Sequence, residues 1–395
     1  MKECMTRCVY RRVTSQRLST VGFANAAGDP VIVNLQLKRC ELGEERVVYL
    51  RRLKRLHSLS LAGNPIDKDV NYNTFIAAHL PELVYLDFRA VDGDTRELAR
   101  VQYLFPIAEL KLIEAQEQQR QEELQLHKAA YVEFLNDRSL FDSMYDEDTE
   151  AAKLANLPGV AQLLESYSSQ FVALCRQVFT LGLEQHERRE AEASTFFDCV
   201  SEAVSDNQER AAQRLNAFEK ERREMFSKLH QMTDPKLLEV RPAKCVEELH
   251  DSLMTLELQL VNQLEDITKD FERNISDMVS GFTETVQDIF AQCRDLENHH
   301  HEKLLEIALG TLAKVAKHEL LEDMPDDTLM LLVDKDTVIS AVSASHDTHL
   351  LKIDQREDEL VTRITTWSST MMEKIQSNEV NRNCKRIAEI HTYIA

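Results

Sequence analysis

The chain is short of the residues that turn a polypeptide back on itself. It holds 9 Gly and 8 Pro among 395 residues, about a third of ordinary usage. Beyond Gly159 only Gly182, Gly281, Gly310, Pro235, Pro242 and Pro325 remain. So few turn residues cannot support short strands alternating with helices, which excludes most enzyme folds there and calls for long helices. No apolar run approaches the roughly 18 residues that a membrane-spanning helix requires. The eight cysteines (Cys4, Cys8, Cys40, Cys175, Cys199, Cys245, Cys293, Cys384) are scattered and follow no secretory signal. They read as reduced thiols, not as a disulfide frame. Positive charge is scarce as well: 47 Lys and Arg face 68 Asp and Glu, a net charge of -21. Such a surface repels phosphate backbones and anionic bilayers, so neither nucleic acid nor membrane is expected as a partner.

Residues 1–33 break the acidic pattern with Lys2, Arg7, Arg11, Arg12 and Arg17 against Glu3 and Asp29. Their apolar residues form no helical face, which argues against a transit peptide. This segment is read as a basic leader, disordered or an alternative start. Cys4 and Cys8 lack the second pair that a zinc site needs.

What is present begins with a repeat, over residues 34–101. Leu35-x-Leu37 is followed by Cys40 and Leu42, Leu59-x-Leu61 by Asn64 and Ile66, and Leu86-x-Phe88 by Val91. The middle copy, from Leu53 to Ile66, matches the leucine-rich-repeat template at every marked position. Each L-x-L predicts a short strand with both leucines inward, and Asn64 is placed to satisfy backbone groups at the turn. The predicted repeat core is therefore Leu35, Leu37, Leu59, Leu61, Asn64, Ile66, Leu86 and Phe88. Charged Asp92, Asp94, Arg96 and Glu97 then close the array as a terminal cap. Nothing before Leu35 reads as the opposite cap, so earlier repeats are expected to be missing.

The remainder is helical. Residues 102–136 contain the run Glu114–Leu124 and predict a polar, solvated helix. Residues 137–159 read as an acidic linker; placing Asp142 first in a calcium loop puts Glu147 at the required Gly and Lys153 at the required Glu, so that site fails. Residues 160–232 carry heptads. Val160, Leu164, Tyr167, Phe171, Leu174, Val178 and Leu181 alternate by four and three, and Ala211, Leu215, Phe218, Arg222, Met225, Leu229 and Met232 repeat the alternation. Pro235 and Pro242 predict a hinge over 233–245. Over 246–321 the period changes to eleven: Leu253, Leu256, Leu260, Leu264, Ile267, Phe271, Ile275, Met278, Phe282, Val286, Ile289 and Cys293 form three columns. That stripe is wider than a two-helix seam and would be wet in an isolated helix, so it is expected to meet partner helices unless the hinge folds it back. Residues 322–337 form a second acidic break, and 338–395 a last helix that reaches the end of the sequence without a cap, either truncated or continuing into a partner. The fold class is mainly α: a short truncated leucine-rich-repeat solenoid (α/β), then long helices and coiled coil.

Candidates for chemistry are few. Consecutive His299, His300 and His301 diverge by about 100° on a helix and cannot share a metal. His346 and His349 lie beside Leu350, Leu351 and Ile353 and read as packing histidines. Nucleophile-elbow, phosphate-loop, dinucleotide and zinc-protease motifs are absent from the sequence. Neither a cofactor nor catalysis is expected.

The segments Leu59–Ile66, Leu80–Phe88, Phe141–Tyr145, Ala291–Lys303 and Ala344–Asp354 together give a resemblance that extends over residues 33–395. The chain resembles the dynein regulatory complex subunit 3 family, the leucine-rich-repeat subunits of the nexin-dynein link in motile cilia. It departs from that family in its basic start and in lacking the first repeats. The resemblance implies a non-catalytic scaffold in the cytoplasm and cytoskeleton, at the axoneme of the cilium or flagellum. It implies partners among the other coiled-coil subunits of the complex, with doublet microtubules and axonemal dynein reached indirectly. A different class of reading is a cytoplasmic adaptor whose repeats hold a signalling enzyme while its coil dimerises.

Overall fold

A computed structural model describes residues 21–24, 30–37, 47–146, 148–229, 235–317 and 324–394. Cys4, Cys8, Cys40, Leu42 and Met232 lie outside the described residues. The chain is mainly α and divides into two compact units, residues 1–122 and 123–395.

In the first unit a five-stranded sheet has the order β1 (Val21–Ala24), β2 (Pro30–Gln36), β3 (Ser58–Ser60), β4 (Tyr85–Leu86) and β5 (Arg89–Ala90). The central strands β2, β3 and β4 are parallel, and Leu35, Leu59 and Leu86 stand in register. The repeated leucines thus form one column, buried with Leu37, Leu61, Ile66, Phe75, Ile76 and Leu83. Short turns Tyr49–Arg52 and Pro65–Lys68 and the helix α1 (Tyr72–His79) carry the chain back between parallel strands, as a parallel connection requires. Both ends of the sheet close with an antiparallel strand. At one end β1 pairs with β2, which corrects the expected lead-in: part of it supplies an edge strand. At the other, β5 folds back on β4. After the sheet come α2 (Gly93–Gln102), N-capped by Asp92 through Thr95 N–H, and α3 (Leu104–Ala129).

The second unit is built on three long helices: α6 (Val160–Leu229), α7 (Pro235–Val315) and α9 (Lys335–Ile394). At 1.5 Å per residue, α6 alone is about 105 Å long. Contacts between α6 and α7 fall in opposite sequence order: Tyr167 stacks on His300, Phe196 on Phe271, and Asn207 donates to the Leu256 carbonyl. The same holds for α7 and α9, where Glu297 meets His349 and Glu257 meets Arg382. Both outer helices are therefore antiparallel to α7.

Three expectations about the joints change. Pro235 starts α7, where its missing N–H would be unpaired anyway, and the helix continues through Pro242 at the loss of one bond. Residues 235–245 are thus helix and not hinge. The polar helix ends at Ala129, and residues 130–136 bury Ala130, Val132 and Leu135. The acidic linker carries α4 (Ser139–Tyr145) and α5 (Thr149–Leu154), because Leu140, Phe141, Met144, Ala151 and Leu154 recur at helical spacing between its acids and are buried. A short helix α8 (Asp326–Leu331) leads into α9.

Candidate interaction surfaces and a buried ionic cluster

In the repeat unit the turn chemistry is explicit. Asn64 Nδ2 donates to the carbonyls of Leu37 (2.5 Å) and Leu61 (2.7 Å), tying adjacent repeats together. Asp87 does comparable work one repeat on. Its carboxylate accepts from Leu61 N (2.8 Å), Ala62 N (3.0 Å), Ser60 Oγ (3.0 Å) and the Tyr72 hydroxyl (2.7 Å). Burial, with Asp87 beside it, pushes the Tyr72 phenol upward in pKa. Phe88 corrects the predicted core. It is 69% exposed, because β4 stops at Leu86 and Asp87 and Phe88 take φ of 46° and 68° as the two central residues of a tight hairpin. Two left-handed residues suit that turn, and they send Phe88 outward.

The structure brings the predicted helical seams together, but with one another. Val160, Tyr167, Phe171 and Val178 of α6 are buried, as are Leu253, Leu260, Leu264, Phe271, Ile275, Phe282 and Ile289 of α7. Leu164, Leu174, Leu256, Ile267 and Met278 are half-buried on the same cores. The wide eleven-residue stripe is covered because α7 receives α6 on one flank and α9 on another. Sequence spacing identified these residues and left open which helix lay opposite.

Along α6 and α9 the segment 130–157 packs as well. Val132 lies against Gly182, where a Cβ would come within 2.2 Å of the Val132 side chain, so only glycine admits that approach. Tyr131 and Phe134 have φ of 64° and 65°, and arginines hold this strained turn. Arg356 donates to the carbonyls of Tyr131 and Glu133. Arg363 binds the Glu133 carboxylate with both terminal nitrogens at 3.0 Å and stands 4.6 Å over the Tyr131 ring. Arg189 lies 4.7 Å over the ring of Trp367 and 5.2 Å over Tyr131.

An ionic cluster joins α5, α7 and α9. His349, 1% exposed, has Nδ1 3.0 Å from Glu297 Oε1 and Nε2 3.1 Å from Asp148 Oδ2. Asp148 also N-caps α5 through Glu150 N and Ala151 N and accepts from Ser345 Oγ at 2.6 Å. Burial pulls the imidazole of His349 down in pKa, but its two carboxylates outweigh that and hold it at about 9. Burial pushes Asp148 up, yet His349, Ser345 and the Ala151 N–H bring it to about 2. Nearby His300 lies under Tyr167, and burial lowers it to about 4. His349 is therefore a cation at neutral pH, held between Asp148 and Glu297, while His300 is neutral. The packing reading of His349 gave no hint of its two acids, which come from helices 52 and more than 190 residues away. Among the described residues no group of three or more His, Cys, Asp or Glu is placed to hold a metal ion, and no helix is long and apolar enough to cross a membrane. What these side chains do is fix helices to one another.

Sequence reasoning also passed over an outward apolar face on α2 and α3. Leu98, Val101, Leu104, Phe105 and Leu112 are exposed, although the region was read as polar. The signal was there in the 3-4-3 spacing of Leu98, Val101, Phe105 and Ala108.

No family model matches the chain. It is 51% identical over 358 residues to a protein of Macaca fascicularis called dynein regulatory complex subunit 3, covering 88% of this chain and 68% of the relative. The proteins of that name from Mus musculus and Homo sapiens are 50% and 49% identical over the same shares.

Proposed function

The chain belongs to the dynein regulatory complex subunit 3 family, and from that premise we propose that it is a non-catalytic structural subunit of the ciliary and flagellar nexin-dynein regulatory complex. The observation that carries this is the identity of about half its residues with relatives of that name across 358 positions. In this reading it helps link neighbouring doublet microtubules and regulates dynein-driven sliding, and so ciliary motility, at the axoneme. The architecture supports a mechanical role. Helices of 70, 81 and 60 residues are joined by a series of apolar clusters along their length, which suits a member that transmits force along its axis. Tubulin tails are acidic, and a chain of net charge -21 is repelled by them, so contact with microtubules and dynein runs through sibling coiled-coil subunits.

A tagged copy expressed in multiciliated or sperm cells should decorate the axoneme and leave it on salt extraction together with its siblings. Release of this chain alone, with the siblings retained, would sink the scaffold reading. A diffuse cytoplasmic signal would favour the adaptor.

A further inference from the structure

We propose that the outward face of α2 and the first half of α3 joins two copies of this chain as an antiparallel helix pair. The inner face of this helical stretch is already used. Ala99 is buried, Tyr103 packs edge-on to Phe75 and His79, and Arg51 binds Glu114 at 2.6 Å. The opposite face carries Leu98, Val101, Phe105, Ala108, Leu112 and Ala115 at a spacing of 3-4-3-4-3, and all six are exposed. Phe105 is 83% exposed. Tyr103, with φ -108° and ψ 19°, ends α2, and α3 starts at the next residue. Tyr103 N bonds the Ala99 carbonyl and Ile107 N the Tyr103 carbonyl, each at 3.0 Å, so the row runs on from one helix to the next across a short break in the ladder at 104–106. A row of this period is the seam of a left-handed two-helix packing.

The seam is complementary to itself in one orientation. Its first half is bulky (Leu98, Val101, Phe105) and its second half carries both alanines (Ala108, Ala115), and a two-fold axis between positions 106 and 107 opposes residues of unequal size in every layer. Leu98 then meets Ala115 of the second copy, Val101 meets Leu112, and Phe105 meets Ala108. Alternation of large and small side chains across facing positions is what lets layers interdigitate without voids, and a two-fold contact uses the same patch on both copies. The flanks agree: Gln102 faces Glu109 of the second copy, and Leu104 faces the stem of its Lys111, so no like charges meet. A parallel pair would instead stack Phe105 on Phe105 and Ala108 on Ala108, one layer overfilled and the next hollow. The inference is independent of the ciliary reading.

Sedimentation equilibrium of the full chain between about 1 and 100 µM should show a monomer–dimer equilibrium, since a single helix pair buries on the order of 1,000 Å² in total, the low end of stable interfaces. Phe105→Glu should weaken association at least about 10-fold with an unchanged melting curve. Phe105→Ala and Ala108→Phe should each weaken it by mismatching the central layers, and the double swap should restore it. A chain that stays monomeric over that range, a dimer indifferent to Phe105→Glu, or a double swap no better than the weaker single variant would each overturn the proposal. So would a monomeric chain whose Phe105→Glu variant loses a sibling subunit of the complex, which would give the face to another polypeptide.

Discussion

Two rows of apolar residues in this chain share a coiled-coil period and have opposite fates. In the row from Val160 to Val178, Tyr167, Phe171 and Val178 are buried against α7 and the 130–157 segment. In the row from Leu98 to Leu112 the large residues are exposed, Phe105 among the most. What separates them is return geometry. The chain supplies α7 as an antiparallel partner for α6, whereas among the described residues no helix covers the outer face of α2 and α3. Periodicity therefore states that a helix face needs a neighbour, and topology decides whether that neighbour is the same molecule.

The largest test of the comparison is a charge in the closed row. Phe271 is 2% exposed and stacks on Phe196 with ring centroids 4.4 Å apart. Phe271→Asp removes that stack and buries an unpaired carboxylate, so it should cost at least about 4 kcal/mol and unfold the bundle in a thermal melt followed by circular dichroism. A shift of only a few degrees would mean that the α6–α7 contact is not the core it looks like. The substitution also cannot separate a scaffold from an adaptor, since it destroys the rod itself before any partner is lost.

Next in size is the ionic cluster, which adds pH to the comparison. His349 has a folded pKa of about 9, above the ordinary 6.5, so its contribution is complete below pH 6.5 and is lost as pH rises through 9. His300, lowered to about 4, works the other way: the unfolded chain takes up a proton first, so stability falls as pH drops from 6.5 towards 4. His186 and His346 are lowered by burial in the same sense. Asp148, held at about 2, contributes above pH 3.8 and loses that only as pH falls through 2. Melting temperature should therefore peak near pH 6.5. His349→Ala should cost about 3 kcal/mol at that pH and flatten the alkaline limb, and His300→Gln should flatten part of the acid limb. A wild-type profile still rising at pH 9 would contradict the cluster.

These groups show where the sequence was informative. The leucine column of Leu35, Leu59 and Leu86 and the stripe on α7 were legible, because burial on one face imposes a period that survives in a single sequence. The partners of His349 were not, since nothing local to residue 349 announces acids at 148 and 297. Phe88 misled because Leu86-x-Phe88 copies the strand spacing of the earlier repeats, and only the hairpin with β5 shows that the strand has ended. The linker 137–159 misled for a related reason: its acids dominate the composition, while six buried apolar residues (Leu140, Phe141, Met144, Ala151, Leu154 and Leu157) set the packing. Pro235 was read as a breaker because a proline at a helix start and one at a helix end look alike in sequence.

In the repeat unit Asp87 offers an intermediate effect. Asp87→Ala leaves Leu61 N–H, Ala62 N–H and two hydroxyls without their acceptor and places alanine at φ 46°, so it should cost about 1–3 kcal/mol. Asp87→Asn retains an acceptor oxygen and tolerates the left-handed backbone, and should cost clearly less. Equal losses would show that the carboxylate charge matters and the hydrogen bonds do not.

The smallest expected effect sharpens the comparison most. Phe105→Ser removes an aromatic ring, as a core truncation does, but from a position that is 83% exposed. Below the concentration of self-association it should change the unfolding free energy by no more than about 0.5 kcal/mol, while Phe196→Ser, whose ring is buried on Phe271, should cost about 3 kcal/mol or more. The two substitutions are chemically identical. Phe105 lies in the first turn of α3 and Phe196 in the interior of α6, and the helix-propensity difference this adds, a few tenths of a kcal/mol, is small beside the expected gap. A Phe105→Ser chain destabilised as much as the Phe196 variant, measured by urea unfolding at 1 µM, would place the α2–α3 face inside the folded monomer and leave the chain with one kind of seam.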